Sequence, residues 1–102
     1  MIKIRLFCSA GMSTSLMVNK MKDAAKEKQI EVDIEAFPEG EMEKHIDGID
    51  LALLGPQVAY TLSKSKKICE PKGIPVAVIP MQDYGMMNGK KVLEFSLNLI
   101  NK

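Results

Sequence analysis

The sequence predicts an α/β fold: a four-stranded parallel sheet, strand order 2-1-3-4, with helices on both faces. Three observations lead there. Short β-rich runs alternate with helical patterns along the whole chain, strand first, with no repeat or low-complexity break. Leu51-Ala52-Leu53-Leu54 is apolar without alternation, as befits a central strand buried on both faces. Glu31-Val32-Asp33-Ile34-Glu35-Ala36-Phe37 alternates strictly between charged and apolar residues, as befits a strand at the sheet edge with one wet face. At 102 residues the chain is expected to form a single domain over 1-102 with a core of its own.

In order along the chain, Ile2 to Phe7 is the first strand. It stops at Cys8 and leads through small and hydroxylated residues into a helix from Leu16 to Ile30. Leu16, Met17, Met21, Ala24 and Ala25 recur at helical spacing there, and Lys20, Lys22, Lys26 and Lys28 take the other faces. That spacing makes Met17 and Met21 core residues rather than soft-metal ligands. After the second strand, Pro38 and Gly40 break the chain, and Glu41 to Ile46 leaves room for a short helix only. His45, the single histidine, stands among Glu41, Glu43 and Lys44 and reads as a solvated surface residue. Gly55-Pro56 follows the third strand and places proline at the first turn of a helix expected over 56–68. Ile74 to Pro80 is the fourth strand, a loop covers 81–89, and Val92, Leu93, Leu97 and Ile100 mark a last amphipathic helix over 90–101.

Composition narrows the function. Net charge is +1 with acids and bases interleaved, which excludes the electrostatic footprint of a nucleic-acid or anionic-membrane binder. No apolar stretch nears the roughly 20 residues that cross a bilayer, and the N-terminal strand is charged too early for a signal peptide. A cytosolic protein is expected. Cys8 and Cys69 match neither a metal spacing nor a C-x-x-C pair, so no disulfide, metal or cofactor is expected, and Cys69 reads as a small core residue.

The chemistry concentrates at residues 6 to 16, Leu6-Phe7-Cys8-Ser9-Ala10-Gly11-Met12-Ser13-Thr14-Ser15-Leu16. A strand, a tight loop and a helix N-terminus in that order form an anion site, because the first helical turn has unpaired N–H groups at the positive end of its dipole. A cysteine at its mouth is placed to act as a thiolate or to carry an anionic adduct. The expected strand order puts Cys8 at the topological switch point between strands 1 and 3, where ligands bind in open α/β sheets. The corners Gly55-Pro56-Gln57 and Gln82-Asp83-Tyr84 reach the same sheet edge. The competing reading is a structural cysteine, with Ser13 or Ser15 merely capping the helix.

Two phosphate motifs fail. Gly85 to Lys91 has three residues between its glycines where a Walker A loop has four, and Lys91 stands where that loop has Ser or Thr; Asn88 or Gly89 is better read as a helix start. The cysteine-phosphatase pattern requires arginine six positions after the cysteine, and that position is Thr14. The only arginine is Arg5, in the strand before the loop.

Phe7-Cys8-Ser9-Ala10-Gly11-Met12-Ser13-Thr14-Ser15, together with Glu35-Ala36-Phe37-Pro38 and Leu53-Leu54-Gly55-Pro56-Gln57, resembles the lactose/cellobiose-type IIB component of the bacterial sugar phosphotransferase system. The resemblance spans essentially the whole chain. It implies an architecture like that of low-molecular-weight tyrosine phosphatases and a phosphotransferase activity. It further implies that Cys8 accepts phosphate from phosphohistidine of a IIA protein and passes it to a disaccharide of the cellobiose, chitobiose or lactose class entering through the membrane IIC protein. Ser9, Ala10, Gly11, Met12, Ser13, Thr14 and Ser15 would form the phosphate loop. Gln57, Asp83 and Tyr84 are candidates for a rim or docking role, with Asp83 also standing where a phosphatase-like fold carries a general acid. A monomer is expected. The alternatives are a low-molecular-weight cysteine phosphatase, which Thr14 opposes, and a phosphate-sensing module. Without arginine, the loop is expected to hold phosphate through neutral N–H and O–H donors and so stabilise the intermediate without promoting its hydrolysis.

Overall fold

The computed structural model describes residues 1–9 and 12–101, with the side chains of residues 12 and 13 outside the description. Among them, four strands, β1 (Ile2–Cys8), β2 (Val32–Pro38), β3 (Leu51–Leu54) and β4 (Val76–Val78), pair in parallel in the order β2-β1-β3-β4. The helices are α1 (Met12–Glu27), α2 (Met42–His45), α3 (Leu62–Cys69), α4 (Met81–Gly85) and α5 (Gly89–Ile100). The expected order of the sheet is therefore the observed one.

Two-residue alternation along the central strands divides the core into two layers. Ile4 and Leu6 of β1 and Leu51 and Leu53 of β3 join Met17 and Met21 of α1 and Val92 of α5 on one face. Phe7, Ala52 and Leu54 join Met42, Val58 and Cys69 on the other. β3 is fully buried, as its unbroken apolar run requires.

Helix α1 starts at Met12, earlier than the apolar spacing from Leu16 indicates. Its first turn is built of hydroxyl residues, which favour helix starts but leave no apolar period. It ends at Glu27 rather than Ile30 because Gln29 takes a left-handed conformation, φ 58°. There Gln29 N–H donates to the Lys26 carbonyl at 3.1 Å and Ile30 N–H to the Ala25 carbonyl at 2.9 Å. This is a Schellman closure, with Ile30 packed on the Ala24–Ala25–Leu93 cluster.

The helix expected over 56–68 is split. Pro56–Thr61 is a 3-10 segment in which Val58 leaves helical geometry, at φ −116° and ψ 23°, and α3 follows. The Val58 carbonyl accepts from Thr61 Oγ1 at 2.7 Å, so a β-branched residue and a back-bonding hydroxyl bend the chain and bury Val58. β4 is shorter than the expected run 74–80, since prolines lie on both sides of it. The flanking backbone still pairs with β3, Ala52 N–H to the Pro75 carbonyl at 3.0 Å and Ile79 N–H to the Leu54 carbonyl at 2.9 Å. Residues 81–89 are not a plain loop but contain α4, and Asn88 caps α5 by accepting from Lys91 N–H at 3.1 Å.

Helices α1 and α5 approach closely at Gly89. A Cβ there would stand 2.4 Å from the Lys20 carbonyl carbon and 2.5 Å from the Lys20 Cβ. No described helix is long and apolar enough to cross a membrane.

Two stability tests follow from these positions. Gln29→Gly relieves the left-handed strain and should raise stability by about 0.5–1 kcal/mol, seen as a higher urea midpoint. Gly89→Ala gains helix propensity but collides with the Lys20 backbone, so it should lose about 1–2 kcal/mol, opposite in sign to the propensity effect.

Candidate functional site

Cys8 ends β1 beside β3, at the point where the chain order of the sheet reverses. The alternation that sends Ile4 and Leu6 toward α1 sends Cys8 there too. Its Sγ lies 2.6 Å from Thr14 Oγ1, in the first turn of α1. The Thr14 hydroxyl is in turn 3.2 Å from the Tyr84 hydroxyl, delivered by α4. All three residues are buried, at 4%, 3% and 6% exposure respectively. Two oxygens and a sulfur thus form a polar thread in an otherwise apolar layer. Burial without partners would be costly for such groups; mutual hydrogen bonding removes that cost.

On the β3 side, Gly55 N–H donates to the Phe7 carbonyl at 2.9 Å, tying the two corners together. A Cβ on Gly55 would lie 3.2 Å from Cys8 Cβ and 2.9 Å from Gln57 Oε1. Gly55 therefore lets Gln57 fold back toward Cys8. A pocket of about 260 Å³ opens over the cysteine, lined by Cys8, Ser9, Pro38, Glu39, Gly40, Val58 and Tyr60. That lining holds one carboxylate and no lysine or arginine among the described residues.

Arg5 is committed elsewhere. It donates to the Asp33 carbonyl at 2.8 Å and to Asp33 Oδ2 at 3.1 Å, with Glu35 Oε2 at 3.8 Å. It precedes Cys8 by three residues, about 10 Å along a strand, and that odd spacing aims it at the opposite face. Its guanidinium serves the β1–β2 pairing, not the cysteine.

Of the expected phosphate loop, Ala10 and Gly11 lie outside the described residues, as do the side chains of Met12 and Ser13. Ser9 lines the pocket, and Thr14 meets the Cys8 sulfur without lining that pocket. Ser15 is exposed and faces a separate groove with Val18, Asn19 and residues 34–37. The backbone of Met12 to Thr14 forms the first turn of α1, whose N–H groups are unpaired within the helix and carry its positive end. Gln57 is exposed at the sheet edge and Asp83 is half-buried. Tyr84, expected at the rim, is instead buried, because α4 turns its ring into the layer with Ile79 and Met17 and leaves its hydroxyl on Thr14.

Sequence reasoning missed Glu39, Gly40, Val58 and Tyr60 in the lining. Glu39 and Gly40 were reachable in principle, since Pro38 pairs with Cys8 and brings the next residues to the same edge. Tyr60 depends on the bend at Val58, which no periodicity reveals. His45 is not simply solvated: its ring stacks on Phe37, centroids 3.6 Å apart and planes 4° apart, and Nε2 lies 3.3 Å from Glu41 Oε1. Cys69 is a core thiol pointed at Met42 Sδ, 3.8 Å away; burial pushes its pKa up, against a smaller opposing pull from Lys72. The described residues hold no cluster of metal-ligating side chains.

Taken together, the fold and site define a parallel α/β domain with a cysteine at the switch point, set against a helix N-terminus and a small pocket without cations in its described lining. Residues 3–95 match the family model "PTS system, Lactose/Cellobiose specific IIB subunit". The chain is 46% identical over 103 aligned positions to the PTS system galactose-specific EIIB component of Lactococcus lactis subsp. cremoris strain MG1363, covering 96% of this chain and 95% of that one. It is 45% identical, with the same coverages, to the cellobiose-specific EIIB component of Lactococcus lactis subsp. lactis strain IL1403. The solution structure of the cellobiose-specific IIB component from Borrelia burgdorferi superposes with a TM-score of 0.80 at 42% identity, covering 98% of this chain and 92% of that one. The chain belongs to the lactose/cellobiose-specific IIB family of the sugar phosphotransferase system. It is accordingly a phosphotransferase component of sugar transport.

The Gly55 contacts can be tested directly. Gly55 has φ −64° and ψ 151°, which alanine also adopts, so Gly55→Ala should fold with a change of less than about 1 kcal/mol. Its methyl should displace Gln57 and crowd Cys8, slowing reaction of Cys8 with a chromogenic aromatic disulfide several-fold.

Proposed function

We propose that Cys8 is the phosphoryl carrier of this IIB component. It takes the group from phosphohistidine of a IIA partner and gives it to a disaccharide of the cellobiose, chitobiose or lactose class during entry through a membrane IIC partner. In the first step the Cys8 thiolate attacks phosphorus, the S–P bond forms, the P–N bond breaks, and the imidazole leaves with its electron pair. In the second, a sugar hydroxyl attacks phosphorus, the S–P bond breaks, and the sulfur leaves as thiolate while the hydroxyl proton passes to a base in the acceptor complex. The observation that carries this reading is the placement of Cys8 Sγ against the Thr14 hydroxyl in the first turn of α1, with Cys8 also lining a pocket.

The remaining assignments follow from that role. Residues 9 to 15 are the phosphate loop, supplying backbone N–H donors to the phosphoryl oxygens. The chain acts as one IIB domain and as a monomer in the cytoplasm, meeting IIC at the inner face of the membrane. Both partners must reach one sulfur, so they dock in turn on overlapping surfaces, with Gln57 and Asp83 at their edge. Thr14 and the committed Arg5 favour holding the phosphoryl group over hydrolysing it: no guanidinium gathers the charge of water attack. The two Lactococcus relatives have nearly equal identity and are named for different sugars, galactose and cellobiose, so overall similarity does not select the sugar.

Incubation with a phosphorylated IIA protein should place one acid-labile phosphoryl group on Cys8, located by peptide mass spectrometry. Cys8→Ser should take none, and Cys69→Ser should be labelled at the wild-type rate. Label that persists in Cys8→Ser, or a wild-type protein that accepts none, overturns the assignment.

A further inference from the structure

Tyr84 lies outside the cysteine loop and its buried position keeps it from docking partners, yet its hydroxyl is 3.2 Å from the Thr14 hydroxyl oxygen, which lies against the sulfur. It is firmly placed: its N–H donates to the Pro80 carbonyl at 3.0 Å, its carbonyl accepts from Met87 N–H at 3.0 Å, and its ring packs in the layer of Ile79 and Met17. A tyrosine hydroxyl at this depth needs a partner, and Thr14 is one.

Counting protons fixes the direction of the thread. Thr14 has one hydroxyl hydrogen and can donate once. When Cys8 is a thiolate it has no proton to give, so Thr14 donates to sulfur, and the Thr14 oxygen then accepts from Tyr84. When Cys8 is a thiol, the chain can run the other way, S–H to Thr14 and Thr14 to Tyr84. Charge on the sulfur therefore sets both bonds in one direction, and each polarises the next.

We infer that Tyr84 is a positioning residue for the phosphoryl-transfer chemistry: through the Thr14 hydroxyl, it orients and strengthens the hydrogen bond that stabilises negative charge on Cys8 Sγ. The same bond serves the attacking sulfur and the leaving sulfur, since both are thiolate-like. This deepens the reading of Cys8 as the phosphoryl carrier and rests on it. It also gives position 14 a task in place of the phosphatase arginine: it steadies the sulfur rather than the phosphoryl oxygens.

The test is a double-mutant cycle read by iodoacetamide alkylation of the intact protein, resolved at Cys8 by peptide mass spectrometry. The reaction reports the thiolate, because sulfur forms the S–C bond as iodide leaves. Tyr84→Phe should slow alkylation about three- to tenfold, and Thr14→Val should slow it at least as much. Thr14→Ser should restore the wild-type rate. In the Thr14→Val background, Tyr84→Phe should have no further effect, which a general loosening of the fold would not reproduce. With phospho-IIA as donor, Tyr84→Phe should lower kcat by a similar factor and leave KM unchanged, since the ring is buried. Should Tyr84→Phe fail to fold, fluorotyrosine at position 84 keeps the ring and makes the hydroxyl a stronger donor, so alkylation should accelerate. A wild-type rate in Tyr84→Phe, an equal slowing with and without the Thr14 hydroxyl, or no acceleration by fluorotyrosine overturns the inference. A wild-type protein that takes no phosphate from IIA would instead overturn the carrier reading, and the alkylation cycle would still report on Tyr84.

Discussion

A sulfur that takes and releases charge needs donors beside it. The contact between Cys8 Sγ and Thr14 Oγ1 is the interaction on which the site depends. Three features of the fold produce it. β1 must stop at Cys8, α1 must begin early enough to bring Thr14 against the sulfur, and β3 must be followed by a residue without a side chain, Gly55, so that the corners can close. The β2-β1-β3-β4 order puts β1 and β3 side by side with crossovers departing in opposite directions, which opens the crevice above Cys8. The two apolar layers hold these corners rigidly, so the precision of the site derives from the packing around it.

Charge is distributed in a way that suits a carrier. The single arginine is spent on Asp33 and Glu35, bracing the edge strand β2 against β1, on the face away from the cysteine. The described pocket lining offers polar groups and the Glu39 carboxylate but no cation. A guanidinium would stabilise phosphate and the charge of a hydrolytic transition state alike. On the proposed carrier reading, neutral donors with a helix N-terminus hold the ground state while giving attacking water less. Cys69 avoids competing with Cys8: buried beside Met42, with its pKa raised, it stays a protonated core residue.

Much of this was legible in the residues. The unbroken apolar run at Leu51 to Leu54 and the alternation at Glu31 to Phe37 identified a central and an edge strand, and with them the strand order that locates Cys8. Asn88 and Gly89 announced the start of α5 because capping is local chemistry. What escaped was set by tertiary contacts. The start of α1 at Met12 has no apolar period, the left-handed Gln29 uses a residue that gives no warning, and the Val58 bend arises from burial under the pocket. Tyr84 reads as a rim residue because its corner, Gln82-Asp83-Tyr84, leaves a strand end at the edge that holds Cys8; only α4, a single turn of helix, turns it inward. Tyr60 reached the pocket by the same kind of nonlocal turn.

The central claim is that the cysteine corner holds a phosphoryl group instead of hydrolysing it. Phosphorus NMR of the wild-type protein, charged by a several-fold excess of phospho-IIA in the absence of any sugar acceptor, addresses it most directly. The account predicts a phosphothioester resonance that grows to about one equivalent per chain and persists, with little inorganic phosphate released. Continuous release of inorganic phosphate, with no phosphothioester accumulating, would contradict it.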